Sequence, residues 1–199
     1  MLARLSNRIA DIWIENSVIS HEEKDVYKYG IELVLSILVN MCSLILISIV
    51  GGQPMAWIFY LLSFIPLRTA GGGYHAPTHA TCILISSGMF CAAFLLSARL
   101  PDECAALACG VTAMLSLIIF WRFAPVAAVN KPLTKGEFLW NQKIARILVC
   151  IASLCVLLAI VFHCATYLSV KLFCCGEGIS AVNLVIGSVA SRHKRLRTS

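Results

Sequence analysis

Residues 33–50 read Leu-Val-Leu-Ser-Ile-Leu-Val-Asn-Met-Cys-Ser-Leu-Ile-Leu-Ile-Ser-Ile-Val. No charge interrupts them, and as a helix they rise about 27 Å, close to the ~30 Å hydrocarbon core of a bilayer. The stretch is a transmembrane helix. Residues 82–98, 104–121 and 144 to about 163 read the same way. Two weaker runs follow the pattern: 55–67 is short and contains Pro66, and 178–190 is short and carries Ser180, Asn183 and Ser188. Whole-chain composition agrees, since 59% of residues are hydrophobic and only 13% are charged. Too few polar groups remain to cover a soluble globule, and the chain is far too apolar for disorder. Most of the ten cysteines lie inside apolar runs, where they read as small buried hydrophobes and not as a disulfide framework.

Charge placement decides whether the weak runs cross. With six crossings and an inner N-terminus, every Lys and Arg except Arg99 and Lys171 falls on the cytoplasmic side. If 55–67 alone fails to cross, the positives become spread over both sides, against the positive-inside rule. The expected fold is therefore an all-α integral membrane protein with about six transmembrane helices. It forms one polytopic domain, 1–199, with both termini cytoplasmic. Its parts are an interfacial segment 1–30, a loop 68–82, a basic loop 122–146 and a basic tail 191–199. Leu2, Leu5, Ile9, Ile12 and Trp13 recur at helical spacing in the first segment and predict an amphipathic helix on the inner interface. Ser20 and Glu23 have capping-box spacing and predict a helix start that runs into the first span.

The stretch 68–82 reads Arg-Thr-Ala-Gly-Gly-Gly-Tyr-His-Ala-Pro-Thr-His-Ala-Thr-Cys. It combines three glycines, two histidines and a cysteine that opens the next apolar run. An imidazole can take a thiol proton near neutral pH and return it to a leaving group, and a thiolate is a strong nucleophile. His75 and Cys82 form a sensible dyad on those grounds. On one unbroken helix they would sit about 10 Å apart along the axis, but Pro77 disfavours helix at Ala76 and bends the chain. A Cys82 in the first turn of its helix would gain from the positive end of the dipole. Gly71, Gly72 and Gly73 could turn backbone N–H groups toward one point as oxyanion support. Plainer readings stand beside each of these: a packed cysteine, a tight glycine turn, an interfacial histidine. His79 is a competing base. No Asp or Glu lies in 68–82; Glu137 could approach from another loop, although it reads more simply as a solvated surface residue.

These residues resemble the AgrB family, membrane cysteine endopeptidases of the accessory gene regulator quorum-sensing system. The resemblance rests on Arg68, the core Gly72-Gly73-Tyr74-His75-Ala76 and Cys82, with Ala124-Pro125 and Asn130-Lys131-Pro132-Leu133 in the later loop. It covers nearly the whole chain. It implies a multi-pass protein of the bacterial cell membrane with a cytoplasmic site, in which Cys82 attacks a carbonyl of a short AgrD-like precursor peptide. His75 then acts as base and acid, and the thioester closes to a thiolactone or lactone. Arg68 and Lys131 are candidates for anchoring acidic substrate groups, although positive-inside topology explains such charges equally well.

Other function classes make different demands. An ion-coupled transporter expects charges along a membrane path, and apart from boundary residues such as Glu32 and Arg122 the spans carry essentially none. A peptide-binding scaffold is not excluded in that way. A metal-dependent hydrolase using His75, His79 and Cys82 has ligand spacing but no evident fourth ligand. The expected site therefore needs no metal and no cofactor. The lipid bilayer is an expected partner and nucleic acid is not, because the basic tail reads as an inner-leaflet anchor. Gly88, Ala92 and Ala93 allow close helix approach, either within one chain or in a homodimer.

Overall fold

The computed structural model describes residues 2–73, 78–126 and 134–198. Among the described residues, seven α-helices follow one another: α1 (Leu2–Glu15), α2 (Lys24–Val50), α3 (Ala56–Gly71), α4 (His79–Arg99), α5 (Asp102–Phe123), α6 (Lys135–Val161) and α7 (Leu168–Thr198). The chain is an all-α, multi-pass membrane protein. Five helices are long and apolar enough to cross a bilayer, and α3 is a shorter apolar helix.

Helix α1 is amphipathic and folds back on α2. Its Ser6 and Ala10 are fully buried, while Leu5 and Ile12 point outward. Asp11 pairs with Lys24 at 2.6 Å, and Trp13 meets Tyr27 edge-on at 6.0 Å. The expected cap is present: the Glu23 carboxylate accepts from the Ser20 N–H at 3.0 Å and from its hydroxyl at 2.8 Å. A 3-10 turn, His21–Glu23, then leads directly into α2.

Interhelical hydrogen bonds fix the directions of the rest. Ser86 on α4 donates to Asn40 on α2 at 2.6 Å, while His79 lies against Tyr29, so these helices run parallel. Ser63 donates to the Phe173 carbonyl at 2.6 Å and Ser180 to the Phe64 carbonyl at 3.3 Å, so α3 and α7 also run parallel. Helices α5 and α6 are antiparallel, with Ser153 reaching Ala113 and Arg146 reaching Trp121. Each helix from α2 to α7 thus reverses the one before, and six helices cross the bundle. One end carries Leu100, Asp102 and Lys171; the opposite end carries Gly72, Cys82 and Ala124.

Lipid-facing surfaces of α2, α4, α5 and α6 expose Leu, Ile, Val and Phe, as hydrocarbon solvent requires. Buried serines bond back to their own helix, for example Ser48 to the Leu44 carbonyl at 2.9 Å. Helix α7 is the enclosed one, with 56% of its span buried inside the bundle against at most 28% for the other four long spans. Gly176 lies against Tyr60 and Ser63 of α3, and Gly178 lies against Thr112 of α5. Of the three small residues on α4, Ala93 packs inside the chain, while Gly88 and Ala92 face outward.

Several expected boundaries move. The last span begins at Leu168 and not near 178, so α7 carries Lys171 and Glu177 within the bundle. The expectation of essentially uncharged spans is therefore wrong. Lys171 is buried and is held by Asp102 and the Leu100 carbonyl, each at 2.9 Å. Glu177 is fully buried and accepts from Ser153 at 2.6 Å through Oε1, while Oε2 has no partner among the described residues. Lys171 is thus charge-paired, whereas Glu177 is met by the neutral Ser153 hydroxyl. The loops also shrink: Arg68 lies within the last turn of α3, Cys82 within the opening of α4, and the basic segment narrows to 124–134 because α5 and α6 extend into it.

Candidate functional site

Helix α3 continues through Pro66 and ends at Gly71. Arg68 sits in its last turn, half-buried, with its guanidinium 5.9 Å from the centre of the Phe64 ring. Gly71 closes the helix against Phe120, and a methyl group there would lie 2.7 Å from that ring. Gly72 and Gly73 then take φ values of +75° and +131°, which favour glycine. The Gly72 N–H is spent on the Arg68 carbonyl at 2.9 Å, and the Gly71 carbonyl accepts from Val126 at 2.9 Å. Of the three glycines expected to form an oxyanion nest, Gly71 is helical and Gly72 is already bonded. Only the Gly73 N–H has no hydrogen bond among the described residues. Tyr74, His75, Ala76 and Pro77 lie outside the described residues, so the His75–Cys82 pairing is not part of the described geometry.

The chain resumes at Thr78, the N-cap of α4. Its hydroxyl accepts from the Thr81 N–H at 3.2 Å, and the Thr81 hydroxyl in turn lies 3.3 Å from the Thr78 N–H. This reciprocal cap fixes the first turn as His79-Ala80-Thr81, and the Cys82 N–H makes the next bond, to the Thr78 carbonyl at 3.0 Å. Cys82 is consequently exposed on the opening turn of α4, at the positive end of the helix dipole. Arg68, in the last turn of α3, faces Cys82 across the gap between α3 and α4, near enough for its guanidinium to feel the cysteine. His79 opens α4 with its ring 6.0 Å from that of Tyr29, tilted by 53°. A side chain so placed packs on α2.

The second connection borders the first. Val126 and Gly72 form an isolated parallel bridge, and Gln142 and Arg146 of α6 reach the Ala124 and Trp121 carbonyls. Lys131 lies outside the described residues. Glu137 is engaged as the cap of α6, where its carboxylate accepts from the Thr134 N–H and hydroxyl, each at 2.9 Å. One contact went unread in the sequence. Asn183 of α7 is buried directly behind Gly73, and a methyl group on Gly73 would overlap its side-chain amide. Ser180 and Asn183 look in the sequence only like defects in a weak span.

Comparison with known proteins agrees with this anatomy. The profile of the family described as Accessory gene regulator B matches residues 6–184. A Clostridium perfringens protein provisionally described as AgrB-like protein 2 is 24% identical over 67% of this chain and 64% of its own length. A Listeria innocua protein with the provisional description AgrB-like is 30% identical over 67% of this chain and 65% of its own length. The chain thus spans just under two thirds of each of these relatives. No solved structure matches. With the profile spanning residues 6–184, both connections included, the chain belongs to the accessory gene regulator B (AgrB) family.

Proposed function

We propose that this protein is a membrane cysteine endopeptidase that cleaves a short AgrD-like signal-peptide precursor and promotes its cyclisation. The observation that carries the reading is the placement of Cys82, exposed on the first turn of α4 beside Arg68, within a chain of the AgrB family. In the proposed cycle His75 takes the Cys82 thiol proton, and the sulfur adds to a peptide carbonyl. The C–N bond breaks, His75 returns the proton to the departing amine, and the peptide remains as a thioester on Cys82. An internal thiol or hydroxyl of the peptide then attacks that thioester, closing a thiolactone or lactone and restoring the Cys82 thiol. A tethered nucleophile has a high effective concentration relative to water, and exclusion of water by the bound peptide would favour closure over hydrolysis.

Arg68 and Lys131 supply positive charge for acidic groups of the precursor, and Gly73 offers a backbone donor for the oxyanion. The site faces the cytoplasm of a bacterial cell, following the charge asymmetry. The test is Cys82 alkylation in membranes across pH, read by mass spectrometry for wild type, His75→Ala and His79→Ala, with and without chelator. Fast neutral-pH labelling that slows in His75→Ala and ignores chelator is the expected result. Labelling no faster than an ordinary thiol, with neither histidine mattering, overturns the proposal in favour of a peptide-binding scaffold.

A further inference from the structure

Helix α5 runs uncharged from Cys104 to Trp121, and Arg122 follows at once in its last turn. A tryptophan followed by an arginine marks the level where hydrocarbon gives way to headgroups, here at the end of the bundle that carries Gly72 and Cys82. Leu117, Ile118, Trp121 and Arg122 line an open groove of about 440 Å³ at that level, the first two a turn deeper in the span than the last two. Helix α6 holds Trp121 from the side: the Arg146 guanidinium lies 4.9 Å from the centre of its ring and donates to its carbonyl at 3.3 Å. Arg122 is exposed, with its guanidinium 5.7 Å from the centre of the Phe123 ring. Neither arginine has a carboxylate partner. The ion pairs among the described residues are Asp11–Lys24 and Asp102–Lys171, and Glu137 caps α6. The Arg146 Nε also has no acceptor among the described residues.

We propose that this groove holds one anionic phospholipid, with its phosphate on Arg122 and an acyl chain along Leu117, Ile118 and the Trp121 ring. The surroundings ask for both halves of that ligand. Two guanidiniums flanking one indole, with no acid to neutralise them, favour an anion, and a phosphate matches the fork of an arginine. Leucine and isoleucine a turn deeper offer nothing to a free phosphate, whereas a hydrocarbon chain covers them without stranding a polar group. A zwitterionic lipid brings the same phosphate with a cation beside it, which the Arg146 charge disfavours. Arg146 acts here as a positioning residue, holding the indole as one wall of the groove. The inference stands apart from the Cys82 chemistry, although the two places are joined by a short stretch of chain. Arg122 is two residues before Ala124, whose carbonyl accepts from Gln142, and four before Val126, whose N–H donates to the Gly71 carbonyl.

The experiment uses the full chain in phosphatidylcholine nanodiscs with Trp121 as the one remaining tryptophan, through Trp13→Phe, Trp57→Phe and Trp140→Phe. It reads quenching of Trp121 fluorescence as brominated phosphatidylglycerol or brominated phosphatidylcholine replaces part of the lipid. Half-maximal quenching is expected at about a fivefold lower mole fraction of the anionic lipid, the preference that one arginine near the surface contributes. Arg122→Gln abolishes that preference and Arg122→Lys keeps most of it. Lys143→Gln removes an exposed charge of α6 that does not line the groove, and it leaves the preference within about twofold. Inorganic phosphate at constant ionic strength leaves the quenching unchanged. Equal quenching by the two brominated lipids overturns the proposal. Equal losses from Lys143→Gln and Arg122→Gln overturn it in favour of diffuse surface attraction, and displacement by inorganic phosphate overturns it in favour of a plain anion site. Absence of quenching by either lipid also overturns it, because a second copy or a peptide then covers Trp121. Should Arg122→Gln fail to insert, the Arg122-containing chain gives the same test: unbrominated phosphatidylglycerol must relieve the quenching by its brominated form at a lower mole fraction than phosphatidylcholine does, and equal relief overturns the proposal.

Discussion

Replacing Gly176 with Ala tests the contact that sets α3 against α7. An added Cβ would lie 2.5 Å from the Tyr60 carbonyl oxygen and would also meet the Ser63 hydroxyl, while ordinary contact begins near 3.4 Å. The Tyr60 carbonyl is backbone, so the two helices must part by about 0.9 Å. That movement stretches the 2.6 Å bond from Ser63 to Phe173 and breaks the 3.3 Å bond from Ser180 to Phe64. Overpacking of this kind costs about 1–3 kcal/mol, and interhelical hydrogen bonds in membranes average about 0.6 kcal/mol each. The better helix propensity of Ala returns at most about 1 kcal/mol. The net loss is about 2 kcal/mol, or roughly 30-fold in the unfolding equilibrium. Thermal denaturation in nanodiscs should show a midpoint lower by about 4–8 °C. Gly88→Ala and Gly110→Ala are the controls: the first Cβ meets nothing within 4 Å, and the second meets only Ile160 at 3.7 Å. A Gly176→Ala midpoint equal to that of Gly88→Ala would refute the packing argument.

Two further outcomes follow from local geometry. Thr78→Ala removes the α4 cap at a cost of about 1 kcal/mol, and it should raise hydrogen exchange in residues 79–82 and slow Cys82 alkylation while leaving the thermal midpoint within about 3 °C; unchanged exchange there would show that the cap does not hold the turn. At the other end, Asp102→Ala should destabilise more than Lys171→Met, because the first strands a buried ammonium on one carbonyl while the second replaces it with an apolar chain of similar shape; equal midpoints would mean that the pair behaves as a surface ion pair.

How far the sequence foretold these features depended on what each residue faces. Helices α2, α4, α5 and α6 meet lipid over most of their surface, so hydrocarbon selected uninterrupted apolar runs that hydropathy registers. Helix α3 was expected as a crossing from charge asymmetry in spite of Pro66; it forms one continuous apolar helix, Ala56–Gly71, shorter than the other spans. Helix α7 was mislocated for the converse reason: it faces protein, where Lys171, Glu177, Ser180 and Asn183 find partners or snug packing and no longer look apolar. The Thr134–Glu137 box was readable from its spacing, whereas the Thr78–Thr81 cap uses a hydroxyl where the usual pattern has a carboxylate. Placement of Cys82 on a first turn followed from Pro77 and from the apolar run beginning at the cysteine itself. Asn183 could not be found that way, because its relation to Gly73 spans 110 residues of chain and exists only once α3 and α7 are side by side.

The enclosure of α7 bears on how the protein enters the membrane. An ionised side chain near the centre of a lone helix costs about 2.5–3.5 kcal/mol on insertion scales, and in α7 Glu177 lies toward the middle of the span while Lys171 lies in its first turn. Helices α2, α4, α5 and α6 can partition into lipid one by one as they emerge, whereas α7 is stable there only among the helices that supply Asp102, Ser153 and the α3 backbone. Biogenesis is therefore ordered, with the earlier helices forming a receiving cradle and α7 entering last. Until it enters, the face of α3 leading to Arg68 and Gly73 has no backing, so assembly of the site coincides with the final insertion step.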